Sequence, residues 1–203
     1  FWFEYKFVVP KGFTDIIYRL KRLDKLGIKI HYILGNHDYW DFGGFSSEFG
    51  GIIHKNDFEF KINNKKILVT HGDGLLKNDF GYRFMKKIIR SKIAISLFRL
   101  LHPDLGSYIA QKISNTSSHY HHHDKKSIEI RNEIIDFAKH KWDEGYDIVL
   151  VGHYHQTGIE QNQEKSLIFM GDWLRHFTVT ILDENGWYQN KWEQLQNSLD
   201  LRQ

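Results

Sequence analysis

Cysteine is absent from this chain of 203 residues. No disulfide or thiolate centre contributes to the fold, and the absence fits a reducing compartment. Proline is scarce, at 2 residues, which argues against long structureless linkers. No run of about 18 apolar residues occurs, so no membrane-spanning helix is expected, and no signal peptide is visible. Charge of one sign is hardly in excess. Lys and Arg total 28 against 25 Asp and Glu, a formal charge of +3, too small to argue for a nucleic-acid partner. A starting Met is missing as well. The chain opens on Phe1-Trp2-Phe3, and further sequence is expected upstream. What remains is ample for a core: 41% of residues are hydrophobic and 15 are Phe. The length fits one domain with an insertion.

Three short histidine-bearing motifs stand out. They are Gly35-Asn36-His37-Asp38, Thr70-His71-Gly72-Asp73 and Gly152-His153-Tyr154-His155. An amide oxygen and several imidazoles are good ligands for a divalent ion. Such an ion can make hydroxide from water and shield phosphoryl oxygens. In the first motif, Gly35 allows a tight exit from a strand and the Asn36 carbonyl can bind metal without adding charge. His37 can donate a proton to a phosphoryl or leaving oxygen, and Asp38 can orient that ring. The alternative is an Asn-His-Asp turn of no chemical use. His153 and His155 are two residues apart, so extended backbone would point them to one side, each toward an adjacent metal. Asp73 can fix the His71 ring. Any one motif could be accidental; all three in order argue against coincidence. No obvious carboxylate pair completes a two-metal site.

Each motif follows a predicted strand. Apolar spacing predicts a helix over 13–26, capped by Thr14, with Ile16, Ile17, Leu20, Leu23 and Leu26 as a buried stripe. A strand over 28–34 then runs into the first motif. Strands over 58–62 and 66–70 around Asn63-Asn64 read as a hairpin that delivers His71. A strand over 147–151 delivers His153 and His155, and two more are expected over 167–171 and 177–182. Between the second and third motifs the pattern is helical, over 80–101, 108–113 and 126–142. Residues 76–144 therefore read as a helical insertion into an α/β core. Residues 82–102 carry Arg83, Lys86, Lys87, Arg90, Lys92 and Arg99 with no acidic residue. That stretch is either a solvated face with lysine stems over a packed stripe, or a surface that meets anionic headgroups while its apolar side guides acyl chains. His119 and His121-His122-His123 with Asp124 lie in a polar stretch and read as a solvated loop.

The motif order resembles the second half of the calcineurin-like metallophosphoesterase signature. Phe1-Trp2-Phe3-Glu4-Tyr5, Thr70-His71-Gly72-Asp73-Gly74-Leu75 and Met170-Gly171-Asp172-Trp173 further resemble the UDP-2,3-diacylglucosamine pyrophosphatases of lipid A biosynthesis. The resemblance implies an α/β/β/α sandwich with a helical lid, spanning residues 1–203 with 76–144 as the lid. It implies two divalent metal ions of the manganese type. Asn36, His71 and His153 would be ligands of one ion and His155 of the other, with His37 on the scissile phosphate. It implies a nucleotide-lipid substrate, cleaved to UMP and 2,3-diacylglucosamine 1-phosphate, and a cytoplasmic protein peripheral on the inner-membrane surface. The superfamily's opening D-x-H and G-D-x-x-D motifs are not found in the chain. We expect the chain to begin just after them, with N-terminal core strands missing and residues 1–203 alone inactive. Well-known pyrophosphatases have Arg where this chain has His37. That leaves two further readings: a phosphoesterase for another phosphodiester or phosphomonoester, and a non-catalytic remnant or binding module. Asp172 reads as a strand-end turn followed by a core Trp, rather than as a ligand.

Overall fold

The alternation of short strands with amphipathic helices gives a mixed α/β architecture, as the sequence predicts. The computed structural model describes residues 2–5, 12–38, 40–118 and 124–200. It divides into two units, Phe1–Asn56 with Lys77–Ile128, and Asp57–Leu76 with Glu129–Gln203.

The first unit begins with α1 (Thr14–Lys25), β1 (His31–Ile33), α2 (Gly44–Phe49) and β2 (Ile52–His54). β1 and β2 pair in parallel, His31 opposite Ile52 and Ile33 opposite His54. Trp2, Leu34, Phe45 and Phe49 form a buried cluster that Ile17 and Leu20 of α1 reach. The predicted stripe on α1 is therefore only partly used: Ile16, Leu23 and Leu26 remain exposed. Thr14 does not cap. It is the first helical residue, and Phe13 occupies the cap position with no side-chain hydrogen bond. The same unit holds α3 (Phe80–Ile89), α4 (Lys92–Phe98) and α5 (Pro103–Ser118). The single helix expected over 80–101 is broken at Ser91. Its backbone is extended and its hydroxyl accepts the Ala94 N–H, the behaviour that makes Ser a strong N-cap. Phe3, Trp40, Ile95 and Ala110 make a second buried cluster.

The second unit contains β3 (Phe58–Ile62), β4 (Lys65–Thr70), β5 (Ile148–Val151), β6 (Thr157–Asn162) and β7 (Lys165–Met170) in one sheet, ordered β3-β4-β5-β7-β6. The three inner strands are parallel and the two edges antiparallel. β5 is buried along its whole length, which is why it reads as an unbroken apolar run rather than an alternation. From Glu129 onward, α6 (Asp124–Asp143) lays Ile130, Ile134, Ala138 and Trp142 on one face, against Leu68, Val149, Val151, Leu167 and Phe169. Ile67, Ile148, Leu150 and Ile168 form the other face, which Trp187 packs against. Trp187 belongs to a hairpin of β8 (Thr178–Asp183) and β9 (Gly186–Lys191), followed by α7 (Trp192–Asp200). Gln189 ties the hairpin to the sheet. Its amide donates to the Phe169 carbonyl at 2.7 Å and accepts the Gly158 N–H at 2.8 Å. β2, β6 and β9 are additions to the predicted strands. Among the described residues no helix is long and apolar enough to cross a membrane.

Candidate functional site

In the first unit, β1 ends directly in the Gly35–Asp38 segment, which is held by hydrogen bonds along its length. The Leu34 N–H donates to the His54 carbonyl at 3.0 Å and the Trp2 N–H to the His37 carbonyl at 2.9 Å. Asp38 is buried. Its carboxylate accepts the Gly35 N–H at 3.0 Å and the Tyr32 hydroxyl at 2.5 Å. Burial, then the charge of Asp38 and its hydrogen bond, push the Tyr32 hydroxyl far above its ordinary pKa, so it stays a donor. Asp38, expected to orient the His37 ring, thus spends both oxygens on Tyr32 and Gly35. Arg90, at the end of α3, donates to the carbonyls of Gly35 at 3.3 Å and Lys55 at 3.4 Å. Asn36 is half-buried and His37 is exposed.

In the second unit, β4 and β5 are parallel neighbours with Thr70 opposite Val151. The next residues of both strands therefore emerge together at their C-terminal ends, the usual place for sites on parallel sheets. The His71 and His153 rings are 5.0 Å apart between centroids. That spacing suits two imidazoles on one ion, since metal–nitrogen bonds are about 2.1 Å. His71 Nδ1 is 2.8 Å from Asp73 Oδ1, and the Asp73 side chain is only 4% exposed. A carboxylate there accepts a hydrogen bond from Nδ1–H, which keeps the proton on that nitrogen and leaves Nε2 with its lone pair for a metal. Gly72 is needed for this approach. Its φ is +98°, and a Cβ would sit 2.9 Å from Val151 Cγ1 and 3.2 Å from the Gly152 carbonyl oxygen.

The third motif departs from the extended backbone predicted for it. His153 and His155 have φ of +63° and +56°, and the Tyr154 N–H donates to the Gly152 carbonyl at 2.7 Å. The two rings consequently have different partners. His155 Nδ1 lies 3.1 Å from Asp172 Oδ2, and His176 Nδ1 lies 2.8 Å from the same oxygen. The other Asp172 oxygen accepts the N–H groups of Leu174, Arg175 and His176 at 2.8, 2.6 and 3.1 Å. Burial acts to raise the Asp172 pKa. It is outweighed by the Arg175 N–H, the His176 ring and the N–H groups of His176 and Leu174, which hold the carboxyl well below the usual range.

Asp172 is therefore the turn residue the sequence suggested, but it also partners two histidines. Trp173 is not in the core: it is 57% exposed. His176 was not anticipated, although Asp172-x-x-x-His176 is a spacing at which one turn of chain brings two side chains together. His119 and His121–His123 lie outside the described residues. Among the described residues, no three His, Asp or Glu side chains converge closely enough to hold an ion by themselves. The donors nonetheless fit a divalent ion in kind: a ring pair with a carboxylate fixing one tautomer, and a third histidine held by Asp172.

Curated relatives give these motifs a context. UDP-2,3-diacylglucosamine hydrolase of Porphyromonas gingivalis (strain ATCC BAA-308 / W83) is 28% identical over 199 residues, covering 90% of this chain and 76% of that protein. The enzyme of the same name from Haemophilus influenzae (strain ATCC 51907 / DSM 11121 / KW20 / Rd) is 30% identical over 171 residues, covering 82% of this chain and 70% of its own. The chain belongs to the UDP-2,3-diacylglucosamine hydrolase family. It is thus a metallophosphoesterase, a class of enzyme that works with divalent metal ions. A solved archaeal phosphodiesterase is a distant likeness, with a TM-score of 0.41 and 16% identity over 85% of this chain and 74% of that one. No protein-family model matches.

Proposed function

We propose that the protein hydrolyses the diphosphate linkage of UDP-2,3-diacylglucosamine, with water adding to one phosphorus and releasing UMP and 2,3-diacylglucosamine 1-phosphate. The observation that carries this reading is the His71–His153 pair backed by Asp73, in a chain of this family. Asn36, His71 and His153 are assigned to one divalent ion and His155 to a second, both Mn2+. Bound there, the ions supply hydroxide at neutral pH and neutralise phosphoryl charge. The remaining work is done by the chain. Asp73 keeps the His71 proton on Nδ1. Asp172 holds the His155 ring. His37, exposed beside Asn36, places an N–H on a phosphoryl or leaving oxygen, and Asp38 holds the backbone that presents both. Residues 76–144 are assigned as the helical lid insertion for the acyl chains, with α6 from Glu129 onward serving as its anchor on the sheet, and the protein works in the cytoplasm at the inner-membrane surface.

The test is direct. The complete protein, supplied with Mn2+ and UDP-2,3-diacylglucosamine dispersed in detergent, is expected to release UMP. Metal removal by a chelator should stop release, and Mn2+ should restore it. If the lipid stays intact while bis(p-nitrophenyl) phosphate is cleaved, the substrate assignment is wrong. A second reading, action on another phosphodiester or phosphomonoester, then applies. It is favoured by one feature, the His at position 37 in place of the arginine expected from resemblance.

A further inference from the structure

Gly35 has both of its backbone polar groups committed. Its N–H donates to buried Asp38 and its carbonyl accepts from Arg90. The Gly35 carbonyl lies in the same rigid peptide plane as the Asn36 nitrogen. Whatever sets that carbonyl therefore fixes the Asn36 nitrogen and Cα, the base from which its side chain leaves the loop. Arg90 is not attached to this loop alone. Its other terminal nitrogen donates to the Lys55 carbonyl, one residue beyond β2, while the Leu34 N–H donates to the carbonyl of His54 at the end of β2. A single planar guanidinium thus spans the exit of β1 and the exit of β2. The span needs a fork of two donors with fixed separation, which Arg has and Lys lacks. Arg90 itself sits where α3 gives way to α4, just before the Ser91 cap.

We propose that Arg90 is a positioning residue for Asn36: by bridging the Gly35 and Lys55 carbonyls it fixes the Asn36 peptide, and it couples the α3–α4 junction to the metal-binding loop. The proposal rests on the reading of Asn36 as a metal ligand. A rotation of the α3–α4 junction would release the Gly35 carbonyl and with it the orientation of the Asn36 amide. Groups that orient a ligand without touching the metal commonly matter by about 10- to 100-fold in metal affinity.

The experiment measures Mn2+ binding by the electron paramagnetic resonance of free Mn2+, independently of turnover. It compares the complete parent protein with Arg90→Lys, Arg90→Ala, Asn36→Ala and the Asn36→Ala/Arg90→Ala double variant, each below its own melting temperature. Arg90→Lys guards against an unfolded alanine variant. The expected result is weaker Mn2+ binding by about 10- to 100-fold in both Arg90 variants, with no further loss when Arg90→Ala is added to Asn36→Ala. Parent-like Mn2+ binding in the Arg90 variants, or losses that multiply in the double variant, would overturn the role of Arg90 while leaving Asn36 a ligand. Parent-like binding in Asn36→Ala would overturn the ligand assignment and this inference together. Failure to cleave the UDP-lipid, with Mn2+ binding behaving as stated, would remove only the proposed substrate.

Discussion

His153 and His155 both hold left-handed backbone angles, which are uncommon for residues other than Gly although Asn, Asp and His adopt them more often than most. Each left-handed residue costs roughly 1–2 kcal/mol. Such strain persists where surrounding structure over-determines it, and it gathers at working sites. Here the surroundings are Gly152 on one side and the Asp172 turn on the other, so the strain is a physical argument for function that the identity of the residues alone does not make. Tyr32 is the residue whose removal isolates the neighbouring loop. Its hydroxyl is one of two donors to the buried Asp38 carboxylate. Tyr32→Phe keeps the ring packed on Phe45 and takes only the donor. Hydrogen bonds to charged groups are worth about 1.5–3 kcal/mol. The variant should therefore lose about that much unfolding free energy, read as a lower urea midpoint with an unchanged denaturant slope. A loss of only a few tenths would mean that Asp38 finds another donor and that the pair does not hold the loop.

At the scale of elements, the β3–β4 hairpin shows what sequence makes visible. Asn63 and Asn64 both have positive φ, +48° and +62°, the pattern of a two-residue type I′ turn whose twist matches its strands. Asn tolerates this conformation and Ala does not. Asn64 is exposed, so Asn64→Ala should destabilise by about 1 kcal/mol through the backbone alone, whereas Asn64→Gly should be neutral or slightly stabilising. Equal melting temperatures for the two variants would show that the turn does not set the hairpin. The turn and the apolar run of β5 were legible because their signals are local. β6 was not: Thr157–Asn162 contains one aliphatic residue, Ile159, and a glycine, and it exists as a strand because the edge of β7 is there to pair with. The partnership of His155 with Asp172 was hidden for a related reason. It depends on the Gly171 N–H donating to the Gln156 carbonyl at 2.8 Å, which brings together two strand ends far apart in sequence. The break at Ser91 was missed because a cap and a mid-helix serine look alike until the backbone is seen.

For the molecule as a whole, the open choice is what the α3–α4 region faces. Sequence showed its charge, six basic residues without an acidic one, but not which apolar residues the first unit buries. Ile95 goes inward, while Ile93, Leu97 and Leu100 stay 76%, 61% and 82% exposed. Three large exposed aliphatic side chains in a stretch that also carries Lys86, Lys87 and Lys92 make a poor solvated face. The combination suits an anionic bilayer, where apolar insertion and headgroup attraction add. Burying one such side chain is worth about 1.5–3 kcal/mol, and each basic residue near an anionic surface about 1 kcal/mol. The protein should therefore sediment with vesicles containing phosphatidylglycerol and much less with neutral phosphatidylcholine vesicles. Leu97→Glu with Leu100→Glu should abolish sedimentation while leaving the fold intact, because neither side chain is buried. Raising salt should weaken the parent's binding without eliminating it, since screening removes the charge contribution and leaves the apolar one. Binding lost entirely in salt would leave these aliphatic residues outside the bilayer. Absence of binding to anionic vesicles at low salt would return the helices to the simpler role of a solvated surface.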